Sequence, residues 1–322
     1  MTGLFLAGFL CIAGTGAAAA APPPVGTVET LVLFDASVPE TPESIVFDRR
    51  DNAYITLALT GEIRRIAPDG TVTSVAFLPI EAPCATPAVA LGLAIDRRDR
   101  LFVAISSCNP ANQGVFEVDP ETGSYFLVAQ APPATVWNGI DVTRRWIYAA
   151  DTFDGKVWRM PKNGGIAEIW SEDPLLARPA GSPFPGPNGL KVFRREIYVA
   201  NSSTGDIVAI PRRRGGIAGP GRVAATMPPG TGCDEFTFDI RGRIYCTTDP
   251  TNLVVRLDPR DGSQEILLTA DDLLDGPTSA AFGRRGQNRK NLYITNAAFP
   301  IFTTTFRPSL MRLRVDTPGA PE

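Results

Sequence analysis

Histidine is absent from all 322 residues. That removes Ser-His-Asp and Cys-His nucleophilic sites, imidazole general bases and histidine-bound zinc. Any chemistry must run on carboxylates, amides, hydroxyls, Lys, Tyr or Cys. A basic excess is also missing. Thirty-one Lys and Arg stand against 34 Asp and Glu, a net charge of −3, which argues against a nucleic-acid or anionic-membrane partner. Past the N-terminus no apolar run is long enough to span a bilayer. GxSxG, a Gly-rich phosphate loop and a CxxC pair are all missing as well. Gly and Pro are plentiful, 30 of each, which suits a turn-rich β protein.

Leu4 to Ala13 form an apolar run of signal-sequence length, followed by small residues up to Ala21. Residues 1–21 are therefore expected to be a signal peptide, and the mature protein to be secreted, extracellular or periplasmic, with no membrane anchor. Cys11 would leave with that segment. Cys84, Cys108, Cys233 and Cys246 remain for an oxidising compartment, and the short-range pairing Cys84–Cys108 with Cys233–Cys246 is preferred among three connectivities. Asn201 opens Asn-Ser-Ser, a glycosylation acceptor if the source is eukaryotic.

One unit recurs along the chain. A short apolar strand, a charged turn and a second strand ending near Tyr or Phe recur, often followed by G-x-[IV] and a third strand. The copies begin at Glu43, Leu91, Asn138, Asn188, Asp234 and Thr278, with steps of 48, 47, 50, 46 and 44 residues. A period in the forties with several strands per unit is the signature of a β-propeller. Asp-Gly and Gly-Gly pairs between the strands supply hairpin turns. The expected fold is all-β, a six-bladed β-propeller over residues 25–317. Val28 to Phe34 precede the first copy and are expected to close the ring as the outer strand of the last blade.

In a propeller the first strand of each blade lines the central channel, so one slot of the repeat marks one ring around the axis. The six slots hold Glu43, Leu91, Asn138, Asn188, Asp234 and Thr278. Two carboxylates and two amides on one ring form an oxygen set that suits a hard dication such as Ca²⁺, with water in the open positions. Asn-Gly also favours turns, so each Asn taken alone reads as a turn former. Asp48, Asp96 and Asp239 end first strands beside Arg-bearing turns, and their repetition marks them as turn caps and solvated charge. Arg212-Arg213-Arg214 reads as a solvated hairpin tip.

The chain resembles the senescence marker protein/gluconolactonase/luciferin-regenerating-enzyme group of six-bladed propellers. The resemblance rests on Glu43 in Pro42-Glu-Ser44, on Asn138, on Asn188 in Pro187-Asn-Gly-Leu190, and on Asp234 in Cys233-Asp-Glu-Phe-Thr-Phe-Asp239. It implies one divalent metal, usually calcium, held by Glu43, Asn138, Asn188 and Asp234, with Asp234 also as general base for lactone hydrolysis. The chain departs from the family at Glu235, where Gly is common, and at Leu91, where no polar group is offered. No Arg among the slots would clamp a sugar acid.

The expected function is hydrolysis of a small lactone or related ester by a monomer. The metal would polarise the carbonyl, and Asp234, with Glu235 as the alternative, would take a proton from water. Glu235, next on the strand, is expected to point away from the channel. Leu91, Trp137 and Thr278 are expected to line the substrate pocket. Pro174 to Pro187 read as a rigid Pro-rich connector, with a partial lid as the alternative. Two other readings stay open. The chain also resembles exported fungal members of this fold that act as hetero-Diels–Alderases on tropolone quinone methides, and a non-catalytic ligand-binding propeller would share the same fold.

Overall fold

The computed structural model describes residues 22–81, 88–133, 135–301, 303 and 305–321. Residues 1–21, with the expected signal peptide, and Cys84 lie outside the described residues. Within them the chain forms six four-stranded antiparallel sheets with only short 3₁₀ turns between strands. No described helix is long and apolar enough to cross a membrane. Five sheets are meanders in chain order. The sixth takes three strands from the C-terminal end and its outermost from Val28–Leu33, which pairs antiparallel with Ser309–Arg314. The expected closure of a six-bladed propeller is thus present, and it hides the edge of the last sheet.

Packing explains why the strands read apolar on both faces. Each hydrophobic cluster sits between two neighbouring blades. Tyr54 joins Leu93, Leu101 and Phe116 on one side of the first blade. Its strand neighbours Ile55 and Leu57 join Tyr293 and Leu310 on the other. Successive residues of a strand point to opposite faces, so a blade buried on both sides needs apolar residues at every position.

The three aspartates cap turns as expected, but they are buried rather than solvated. Asp48, Asp96 and Asp239 each accept two backbone N–H bonds from the turn that follows. Asp96 also accepts from Lys162 Nζ at 2.9 Å and from Arg100 Nη2 at 2.8 Å. Burial alone would raise its pKa, but those charged donors outweigh it and hold the carboxyl down to about 2. A folded-state pKa below the unfolded one means stability that is present above pH ~4 and lost as pH falls toward ~2. Asp96→Asn should therefore cost about 2 kcal/mol at pH 7, with a gap from wild type that closes in acid. Urea unfolding at pH 7 and pH 2.5 measures both.

One cysteine expectation changes. Cys108 is disulfide-bonded. Cys233 and Cys246, however, are buried free thiols, so the second expected pair is not formed. Cys233 Sγ instead donates to the Glu235 carbonyl at 3.4 Å, and burial, with Cys246 beside it, raises its pKa well above the usual thiol value. Asn201 is likewise no glycan acceptor. It is fully buried and its amide donates to the Leu175 and Ala177 carbonyls. Those same bonds pin the Pro174–Leu176 turn, whose Leu176 is fully buried, as a rigid connector requires.

Candidate functional site at the channel head

Contacts between inner strands place the six slots around one ring. Asn138 carbonyl lies 2.2 Å from where a Cβ on Gly92 would stand, Asn188 carbonyl 2.4 Å from that of Gly139, and Asp234 carbonyl 2.5 Å from that of Gly189. Glu235 N–H donates to the Thr278 carbonyl, and Thr278 Oγ1 to the Glu43 carbonyl at 2.8 Å. Ser44 Oγ accepts from Leu93 N–H and closes the circle. Asn138-Gly139 and Asn188-Gly189 therefore sit within strands, and the glycines are there because neighbouring backbones leave no room for a side chain. Gly139→Ala would drive a methyl into main chain that cannot rotate away. We expect a loss of about 3 kcal/mol or more, read as a fall of several degrees in Tm.

The inner strands are irregular where the slots lie. Register slips between Pro42 and Ile45, Ala90 and Leu93, Trp137 and Ile140, Pro187 and Leu190, and Pro277 and Ser279. Such bulges break the two-residue alternation of a strand. In the fifth blade, regular pairing begins only at Phe236, after both acidic residues. Glu235 accordingly does not turn away to solvent. It is buried, paired with Lys191 Nζ at 2.8 Å, bonded to Ser279 Oγ, and close enough to raise the pKa of Glu43 and Asp234. The expectation that it leaves the channel is corrected.

A fourth carboxylate completes the cluster, and sequence reasoning missed it. Asp249 lies one residue past the second strand of its blade, Ile244–Thr248. Thr152 and Ser202 hold that register in the two preceding blades, where each bonds to the head of the next inner strand. Ser202 also accepts from the Asn188 amide. That repeated polar register is the signal that would have found it.

The electrostatics are those of carboxylates crowded in a dry place. Burial first, then the charges of Asp249 and Glu235, push Glu43 up to about 8. Burial and the charge of Glu43 raise Asp234 well above the usual range, with the Asn188 amide offsetting part of the effect. Burial and Asp275 raise Asp249 to about 7. Among the described residues, Glu43 Oε2, Asn188 Oδ1, Glu235 Oε1 and Asp249 Oδ1 are buried without a hydrogen-bond partner. Unpaired buried oxygens of this kind are costly unless a proton or cation offsets them. Among the described residues no three Asp, Glu or Cys side chains form a metal cage by themselves. A cation here would need the amides of Asn138 and Asn188, and water, beside Glu43 and Asp234. The donor set fits a hard dication in chemistry, all oxygen with charge to balance.

The expected pocket residues are mostly packed away. Trp137 is 2% exposed and lies against Trp158 with ring centroids 6.0 Å apart. Thr278 is 1% exposed, its hydroxyl engaged by the Pro42 and Glu43 carbonyls. Both hold blades together rather than line a pocket. Leu91 packs with Val89 and Val136 in a small apolar cluster.

A sequence-family model, described as the SMP-30/Gluconolactonase/LRE-like region, matches residues 172–298. The match covers less than half of the chain and marks a likeness of this part to that family. The matched part contains Asn188, Asp234 and Asp249, whereas Glu43 and Asn138 precede it. Solved structures similar to this chain span nearly all of it. Regucalcin from Agrobacterium tumefaciens, described as a calcium-binding protein, is 17% identical with a TM-score of 0.65, over 91% of this chain and 95% of that one. A gluconolactonase from Xanthomonas campestris is 18% identical with a TM-score of 0.64, over 90% and 89%. A luciferin-regenerating enzyme is 12% identical with a TM-score of 0.66, over 91% and 97%. At such identities the likeness establishes the propeller. No curated protein sequence matches the chain.

Proposed function

We propose that this propeller is an exported, divalent-metal-dependent hydrolase of a small lactone or related ester. The observation that carries the reading is the set of buried oxygens at one end of the channel, on Glu43, Asn188 and Asp249 beside Asp234, left without protein partners. Glu43, Asn138, Asn188 and Asp234 would hold one cation, with calcium favoured by the all-oxygen donors and by the calcium-binding neighbour. Bound there, a dication would supply Lewis-acid polarisation of the ester carbonyl.

The chain's own residues do the rest. Asp234 takes the proton of the attacking water at its carboxylate. Asn188, fixed by its bond to Ser202 at 3.1 Å, holds its carbonyl oxygen toward the cluster and keeps Asp234 oriented. Lys191 neutralises Glu235 at 2.8 Å, so Glu235 need not compete for that proton. The ring of backbone behind the slots keeps these groups from shifting when charge develops, which is the preorganisation such catalysis depends on. A panel of sugar lactones and simple aliphatic lactones, assayed by acid release with and without a chelator, tests the proposal. Turnover of at least one member, lost on chelation and restored by calcium, is expected. No turnover of any member would remove the hydrolase reading.

A further inference from the structure

The opposite end of the channel, where the inner strands finish, opens into a cavity of about 650 Å³. Its lining carries nine Arg and Lys side chains and two carboxylates, Asp96 and Asp141, in a chain whose net charge is −3. The sequence disperses these cations over separate hairpin tips, where each reads as solvated. The propeller gathers them at one mouth.

Both carboxylates are already engaged. Asp96 is held by Arg98 N–H, Arg100 and Lys162. Asp141 accepts Val142 N–H at 2.6 Å and Val192 N–H at 2.7 Å. Among the described residues, Arg97, Arg98, Arg144 and Arg194 form no ion pair with a carboxylate. Arg194 lies over the Phe193 ring, its guanidinium carbon 5.0 Å from the centroid. Arg212 Nε is buried there without any acceptor. An unsatisfied buried donor inside a cationic cavity calls for an anionic oxygen.

We infer that this mouth is a binding site for a small anion carrying two or more negative charges, as carboxylate or phosphoryl groups. The cavity is of the size that encloses a drug-sized ligand. Arginine's planar fork suits both groups. The field along the channel runs from the carboxylates at one end to the cations at the other, so it steers an anion to this mouth and away from the head.

Calorimetric titration of the full-length calcium-free protein with benzene-1,3,5-tricarboxylate and with fructose 1,6-bisphosphate, at 0.1 M salt, tests the inference. Saturable one-to-one binding of at least one probe is expected. Binding of the first alone assigns the site to carboxylates, of the second alone to phosphoryl groups, and of both to charge. The variant Arg98→Glu/Arg144→Glu, altered at two exposed positions, should bind at least tenfold more weakly with an unchanged Tm. Asp234→Asn, at the other end, should bind within twofold of wild type. Failure of both probes to bind, or equal binding by the charge-reversal variant, would overturn the inference.

Discussion

Asp234→Asn should lower lactone turnover by about 10²–10⁴-fold, the usual worth of a positioned general base, while leaving the propeller folded. Asparagine keeps the shape, but it lacks the charge that balances a cation and cannot accept the proton of the attacking water. Glu235→Gln is the informative companion. Glu235 is buried beside the same cluster, but its oxygen is taken up by Lys191 and Ser279, so its loss should reduce turnover less than about tenfold. Its cost should show in stability, because Lys191 would lose its partner. Initial rates and thermal unfolding on both variants separate the roles. Equal rate losses would place the base elsewhere.

The second large effect is on stability. Without a cation, Glu43, Asp234 and Asp249 repel one another in a buried place, which their raised pKa values express. Calcium at 100 times its dissociation constant should stabilise the native state by about 2.7 kcal/mol, several degrees of Tm. Glu43→Gln removes one of the repelling charges. It should be at least as stable as wild type in chelator, yet gain nothing from calcium. Differential scanning calorimetry in chelator and in calcium reads both. A variant that is stabilised as strongly as wild type would remove Glu43 from the ligand set.

Much of this was legible from repeats. A step in the forties gave the blade number, and the unpartnered Val28–Leu33 strand gave the closure that its pairing with Ser309–Arg314 shows. Repeat register also put Glu43, Leu91, Asn138, Asn188, Asp234 and Thr278 on a common ring, because equivalent positions of a circular array are neighbours around the axis. Departures from regular geometry were not legible. Bulges at the slots bring Glu235 inward where strict alternation sends it out. Asp249 lies just beyond a strand, so a search confined to first strands passes over it. Thr278 reads as a pocket residue until its hydroxyl is seen clamping two carbonyls. The cationic mouth escaped for the converse reason. Arg98, Arg144 and Arg194 are far apart in sequence, and only ring closure sums their charges.

Calorimetric titration of calcium into chelator-treated protein, run beside Asp234→Asn and Glu43→Gln, tests the central claim most directly. One calcium per wild-type chain is predicted, with binding weakened beyond detection in both variants. No binding to wild type, or one calcium still held by either variant, would contradict a cation-dependent site at the channel head.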